Sequence, residues 1–155
     1  MITLPISASA AEIKALVVRW SELLAEERFA EALELFPHSH WELEWTPDTL
    51  RAIVRGYGVL EPDGETLKAI LARHGVDEFR VTTLVGRADF QEILDDKIDV
   101  ERTVPGDAPS ATHLGTVHYN DVPLSGMRSD LTARFDIIRV GADRLTLEFL
   151  DLHVM

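Results

Sequence analysis

Along the first half of the chain the apolar positions repeat at helical spacing. Ile13, Leu16, Val17, Trp20, Leu23 and Leu24 share one side, while Glu12, Lys14, Arg19, Glu22 and Glu26 occupy the others. This predicts an amphipathic helix over residues 9–28, because side chains three and four apart lie on one face. Ser9, with Glu12 three residues on, has the spacing of a capping box, in which hydroxyl and carboxylate satisfy two otherwise unpaired backbone N–H groups. A shorter helix is expected at about 30–36, where Leu33 and Phe36 join Phe29 on one side and Pro37 stops it. Trp41, Leu43 and Trp45 then alternate with Glu42 and Glu44 in a short extended pattern. Thr46 caps a third predicted helix, with Pro47 at its first position and Asp48 near its positive end. Leu50, Ile53, Val54 and Tyr57 form the stripe it buries, and Gly56 and Gly58 end it. After a turn at "EPDGE", Thr66–His74 reads as a fourth helix, with Leu67, Ile70 and Leu71 inward and Gly75 as its stop.

From residue 78 the period changes to two, the spacing of strands. In "FRVTTLV" (79–85), Phe79, Val81, Thr83 and Val85 alternate with Arg80, Thr82 and Leu84. In "KIDVERTV" (97–104), Ile98, Val100 and Val104 oppose Asp99, Glu101 and Thr103. The segment between, "GRADFQEILDD", fits either a loop or a helical turn, and "PGDAPS" is loop-like in composition. "THLGTVHY" reads as a strand in which His118 and Tyr119 face opposite ways, with the inward one of the two left open. The strongest strands come last, at 128–140 and 144–154, joined near Gly141-Ala142-Asp143. Helices first and strands afterwards is an α+β order, here in one domain spanning 1–155.

The final strand breaks its own alternation. Leu145, Leu147 and Phe149 share one parity, and Leu150, Leu152 and Val154 the other. A straight strand cannot bury both sets on one side, so a β-bulge is expected at Phe149–Leu150. With Val140 opposite Arg144, the partner strand then sets Leu147 against Ile137, Phe149 against Phe135, Leu150 against Ala133 and Leu152 against Leu131. The same register puts His153 opposite Asp130 and Asp151 opposite Thr132, all on the polar face. At ~6.8 Å along one strand, Asp151 and His153 are expected to be too far apart for a direct hydrogen bond.

Charge narrows the partners. The chain has 27 acidic and 15 basic residues, a net charge of −12, which opposes binding to nucleic acid or to anionic membranes. The acidic excess serves solubility or captures a basic protein partner. With no cysteine, disulfides and thiolate zinc sites are excluded. The first residues lack the basic flank and apolar core of a secretory signal, and no run reaches the ~20 apolar residues of a membrane helix. A cytoplasmic location is the expectation.

The order of a long first helix, shorter helices and a bulged final hairpin resembles the nuclear-transport-factor-2-like, or cystatin-like, superfamily. "RSDLT" (128–132) and "DLHV" (151–154) are also similar to the closing motifs of a group of uncharacterised bacterial proteins. The resemblance implies a cone, in which a bent, mostly antiparallel sheet wraps the N-terminal helices in its concave face. It also implies a cavity between cone and helices, and homodimers through the outer sheet. Enzymes of this fold, isomerases and dehydratases among them, place Asp, His or Tyr inside that cavity. The inward positions aligned above hold no acid or base.

The candidate residues follow from this layout. Trp41, Trp45, Tyr57, His118 and Tyr119 are expected at a pocket, the last two as acid–base groups should it be catalytic. Asp130, Arg134, Asp136, Asp151 and His153 are expected on the outer face as a solvated or intersubunit row. "HSH" (38–40) carries two imidazoles, with Glu42 or Glu44 as a third ligand, but reads as an exposed loop, and no metal or cofactor is expected. No phosphate loop, nucleophile elbow or zinc signature occurs. The expected function is binding of a small apolar ligand or a protein partner. The alternatives are a cavity enzyme and an acidic inhibitor-type module.

Overall fold

The computed structural model describes residues 1–40, 43–104 and 110–154. In chain order it contains β1 (Leu4–Pro5), α1 (Ala10–Ala25), α2 (Phe29–Leu35), α3 (Pro47–Arg55), α4 (Gly64–His74), α5 (Phe90–Asp96), β2 (Ile98–Arg102), β3 (His113–Tyr119), β4 (Leu131–Arg139) and β5 (Arg144–Val154). The capping signals act as read. The Glu12 N–H donates to Ser9 Oγ at 3.2 Å and the Ser9 N–H to Glu12 Oε2 at 2.7 Å. Thr46 accepts from the Thr49 N–H at 3.1 Å, with Pro47 at the first turn of α3.

The strands form one antiparallel sheet in the order β1-β5-β4-β3-β2, curled around the helices. Its concave side is filled by α1. Trp20 packs edge-on against Phe135 and at a 39° tilt against Phe149, with both ring centroids 5.2 Å away. Phe36 at the end of α2 meets Phe135 at 5.9 Å. Helix α4 stays outside this core; its Leu67, Ile70 and Leu71 are half-buried rather than fully inward.

Two expectations about strands are corrected. "FRVTTLV" is not a regular strand, and it makes one isolated bridge, Val81 to Leu124. Phe79, Val81 and Leu84 are buried, while Val85 is exposed. The reason is a side chain. Glu22 of α1 accepts from the Leu84 N–H at 2.6 Å and from Thr83 Oγ1 at 2.5 Å, so a carboxylate holds backbone that a strand would otherwise pair.

The bulge in β5 is present, but the extra residue is Leu150 itself. Phe149 stands opposite Phe135 and Ile137 opposite Leu147, as expected. Beyond the bulge Asp151 faces Arg134, Leu152 faces Ala133 and His153 faces Thr132. Leu152 is therefore not opposite Leu131, nor Leu150 opposite Ala133, nor His153 opposite Asp130. Placing the extra residue on β5 advances that strand by two positions relative to the expected register. Leu150 is then expelled from the core and lies half-buried on the outer side.

Candidate functional site

The bulge creates the site. Where β5 skips a position, the chain at 37–39 takes over its edge. Phe149 N–H donates to the Pro37 carbonyl at 2.9 Å, and Ser39 N–H donates to the Phe149 carbonyl at 2.9 Å. The Trp45 indole N–H reaches the Leu150 carbonyl at 3.2 Å, with its ring 4.7 Å from that of Phe149. Between these residues and the convex face of β4–β5 runs an open groove of about 720 Å³. Leu43, Trp45 and Leu150 give it an apolar wall, and Ile53 and Leu152 touch it from the core. Its sheet wall is ionisable: Arg134, Asp136, Glu148, Asp151 and His153.

Their positions follow from the ladder. On the convex face one row runs Asp99, His118, Arg134, Asp151 across β2 to β5, and the next runs Glu101, Thr116, Asp136, Glu148. Asp151 holds two neighbours. His153 Nδ1 lies 2.8 Å from its Oδ1, and Arg134 Nη1 lies 3.7 Å from its Oδ2. The direct Asp151–His153 hydrogen bond corrects the expectation that these residues stand too far apart. Strand spacing fixes only the backbone, and beside a bulge the two side chains lean together. The carboxylate fixes the orientation of the imidazole ring. Asp136 Oδ1 is 3.4 Å from His113 Nε2, and the other imidazole nitrogen of His113 sits 3.0 Å from Thr103 Oγ1. Glu148, directly across from Asp136, makes no side-chain hydrogen bond or ion pair with any described residue.

The residues expected at an internal pocket are not brought together. Tyr119 faces inward and is fully buried, and His118 faces outward between Asp99 and Arg134, so the two cannot share a site. The Tyr119 hydroxyl has no hydrogen-bond partner among the described residues. Burial pushes its phenol well above the ordinary range, opposed by the nearby Ser21 hydroxyl. Tyr57 is structural. Its ring packs on Phe79 at 5.0 Å, and its oxygen accepts from the Asp130 N–H at 3.2 Å, tying the end of α3 to the start of β4. Trp45 alone of the described pocket candidates lines the groove; Trp41 lies outside the described residues, as does Glu42.

Of the outer-face candidates, Arg134, Asp136, Asp151 and His153 converge on the groove, and Asp130 lies exposed just before β4. Leu43, read beside Trp41 and Trp45 as a pocket lip, and Glu148, read on the outer face with Arg134 and Asp136, also line the groove, whereas Leu150 was expected in the core and is the lining residue that was missed. The His38 and His40 rings lie 5.2 Å apart. Among the described residues no group of three or more acidic or imidazole side chains is placed to hold a metal ion, and no helix is long and apolar enough to cross a membrane.

A scan against protein-family models, a search of curated proteins and a search of solved structures each return no match for this chain.

Proposed function

We propose that the chain is a ligand-binding domain, and that its site is the groove lined by Ser39, Leu43 and Trp45 on one side and the convex face of β4–β5 on the other. The ligand is a small molecule with an apolar body and a polar end. One observation carries this reading: the apolar side chains of Leu43, Trp45 and Leu150 and the ionisable side chains of β4–β5 line the same groove of about 720 Å³. That volume lies within the range usual for small-molecule sites, and apolar walls with a few convergent polar groups are their usual lining. The site is on the outside of the cone, whereas the resemblance implied an internal cavity. In the structure the concave side at Trp20, Phe135 and Phe149 is occupied by packed aromatic rings.

The test is an NMR titration of the full chain with small aromatic fragments. Shifts confined to Leu43, Leu150, Leu152 and His153, and lost in Leu150→Glu, are the expected result. Fragment shifts that avoid these residues, or that persist unchanged in Leu150→Glu, overturn it.

A further inference from the structure

We infer that the groove selects a cationic ligand: an organic amine whose ammonium sits against Glu148 and Asp136 while its apolar body lies along Leu43, Trp45 and Leu150. The inference rests on the groove reading above and names the class of molecule the groove takes.

The argument is an account of charge. Arg134 is the guanidinium of the groove, and it stands beside Asp151, which also holds His153. That leaves Asp136 and Glu148. They are direct cross-strand partners, so their carboxylates start from Cβ atoms roughly 5 Å apart, an arrangement that is repulsive unless a cation lies between. Asp136 has one imidazole contact, to His113 from the side away from β5, and Glu148 has none among the described residues. Glu101 extends the same row two strands further on, with only Thr116 between it and Asp136, so among the described residues no Lys or Arg pairs with this row. An ammonium can donate to both carboxylates at once and also offsets their mutual repulsion, whereas a single hydroxyl has one proton to donate and no charge, and a carboxylate adds to the repulsion.

The apolar wall adds the second requirement. A bare inorganic cation would leave Leu43, Trp45 and Leu150 facing water, whereas an organic amine covers them. The net charge of −12 favours the approach of a cation from solution. A second groove, of about 410 Å³, between α1 and α5 offers a contrast. Its walls are Ala11, Ala15, Val18, Phe90 and Leu94, with Lys14 and Asp95 both at its rim, and no such unshared acidic pair faces it.

The experiment compares three probes with one body: 4-phenylbutylamine, 4-phenylbutan-1-ol and 4-phenylbutyrate, titrated into the full chain and followed by NMR. The amine is expected to bind at the groove about tenfold more tightly than the alcohol, with the acid weakest. Glu148→Gln is expected to remove most of that preference, bringing the amine and the alcohol to within about twofold of each other, and Asp136→Asn serves as an independent second variant. Equal affinities for the three head groups, or an amine preference that survives both variants, overturn the inference while leaving the groove reading in place. If none of the three shifts groove residues, the groove reading falls with it. Binding of a lysine-containing peptide with no binding of the amine overturns the small-molecule assignment in favour of a protein partner.

Discussion

Tyr119 shows how one residue can be placed by parity and still hold an unspent polar group. Its ring fills the concave side of β3, while its hydroxyl and that of Ser21 on α1 are both buried without a hydrogen-bond partner among the described residues. An unpaired buried hydroxyl costs stability, so Tyr119→Phe should leave stability unchanged or raise it by about 1 kcal/mol. Urea denaturation at neutral pH measures this, and a loss above roughly 2 kcal/mol would show that the hydroxyl is paired after all. The pH dependence has a definite sign. The phenol stays neutral in the fold and ionises in the unfolded chain above its ordinary value of 10.0, so stability falls as pH rises past that point. The Phe variant should lose less over that range. From sequence, alternation required His118 and Tyr119 to oppose each other, but it could not say which pointed inward. The reason lies upstream, at Leu114, where β3 has a second bulge that shifts the parity count.

Elements were the most legible level wherever their signals were local. Ser9 and Glu12 at α1, Thr46 and Pro47 at α3, and Gly75 after α4 mark ends that depend on neighbouring residues alone. Bulges are different. The pattern of β5 exposed a parity break at Phe149–Leu150, yet either strand of a hairpin can carry the extra residue. The choice came from outside the hairpin, where the 37–39 segment and Trp45 bind the backbone of Phe149 and Leu150. In β3 the bulge relies on Gly115, whose φ is +154° and whose absent Cβ would lie 2.2 Å from the Glu101 carbonyl oxygen. Gly115→Ala combines backbone strain with a clash against a neighbouring strand, and should destabilise by about 2–4 kcal/mol. Chemical denaturation gives the value; a change under 0.5 kcal/mol would mean that β2 and β3 can move apart freely.

At the scale of the whole molecule, the acidic excess is partly organised into ion pairs that join distant segments. Glu27, after α1, meets Arg55 at the end of α3 at 2.5 Å and Arg80 at 3.5 Å, and both arginines also contact Glu78. The Arg55 hydrogen bond, with Arg80 adding to it, holds the Glu27 carboxyl below its ordinary value of 4.5. A lowered carboxyl contributes stability that is present above 4.5 and is lost as pH falls through its folded value. Thermal melts between pH 6 and 3 should therefore show a smaller acid-side loss for Glu27→Gln than for the parent chain. An identical acid profile would show that this network adds nothing to the stability of the fold. The same charge bears on assembly. The convex face expected to carry a homodimer presents the row Glu101, Thr116, Asp136 and Glu148, which a second copy would have to meet with its own acids or with Arg134.

The sequence by itself determined helices α1 to α4, the strand pattern from residue 97 onward, the α+β class and the outward facing of Asp151 and His153. Each follows from side chains a few residues apart, whose spacing the covalent chain sets directly. Only the tertiary structure decided that Leu150 is the bulged residue, that Asp151 pairs with Arg134 and His153, and that Trp45 and Glu148 line one open groove. Those facts depend on which backbone edges meet across the fold. Hydrogen bonds to Pro37, Ser39 and Trp45, more than a hundred positions away in the chain, settled a choice that alternation within β5 left equal.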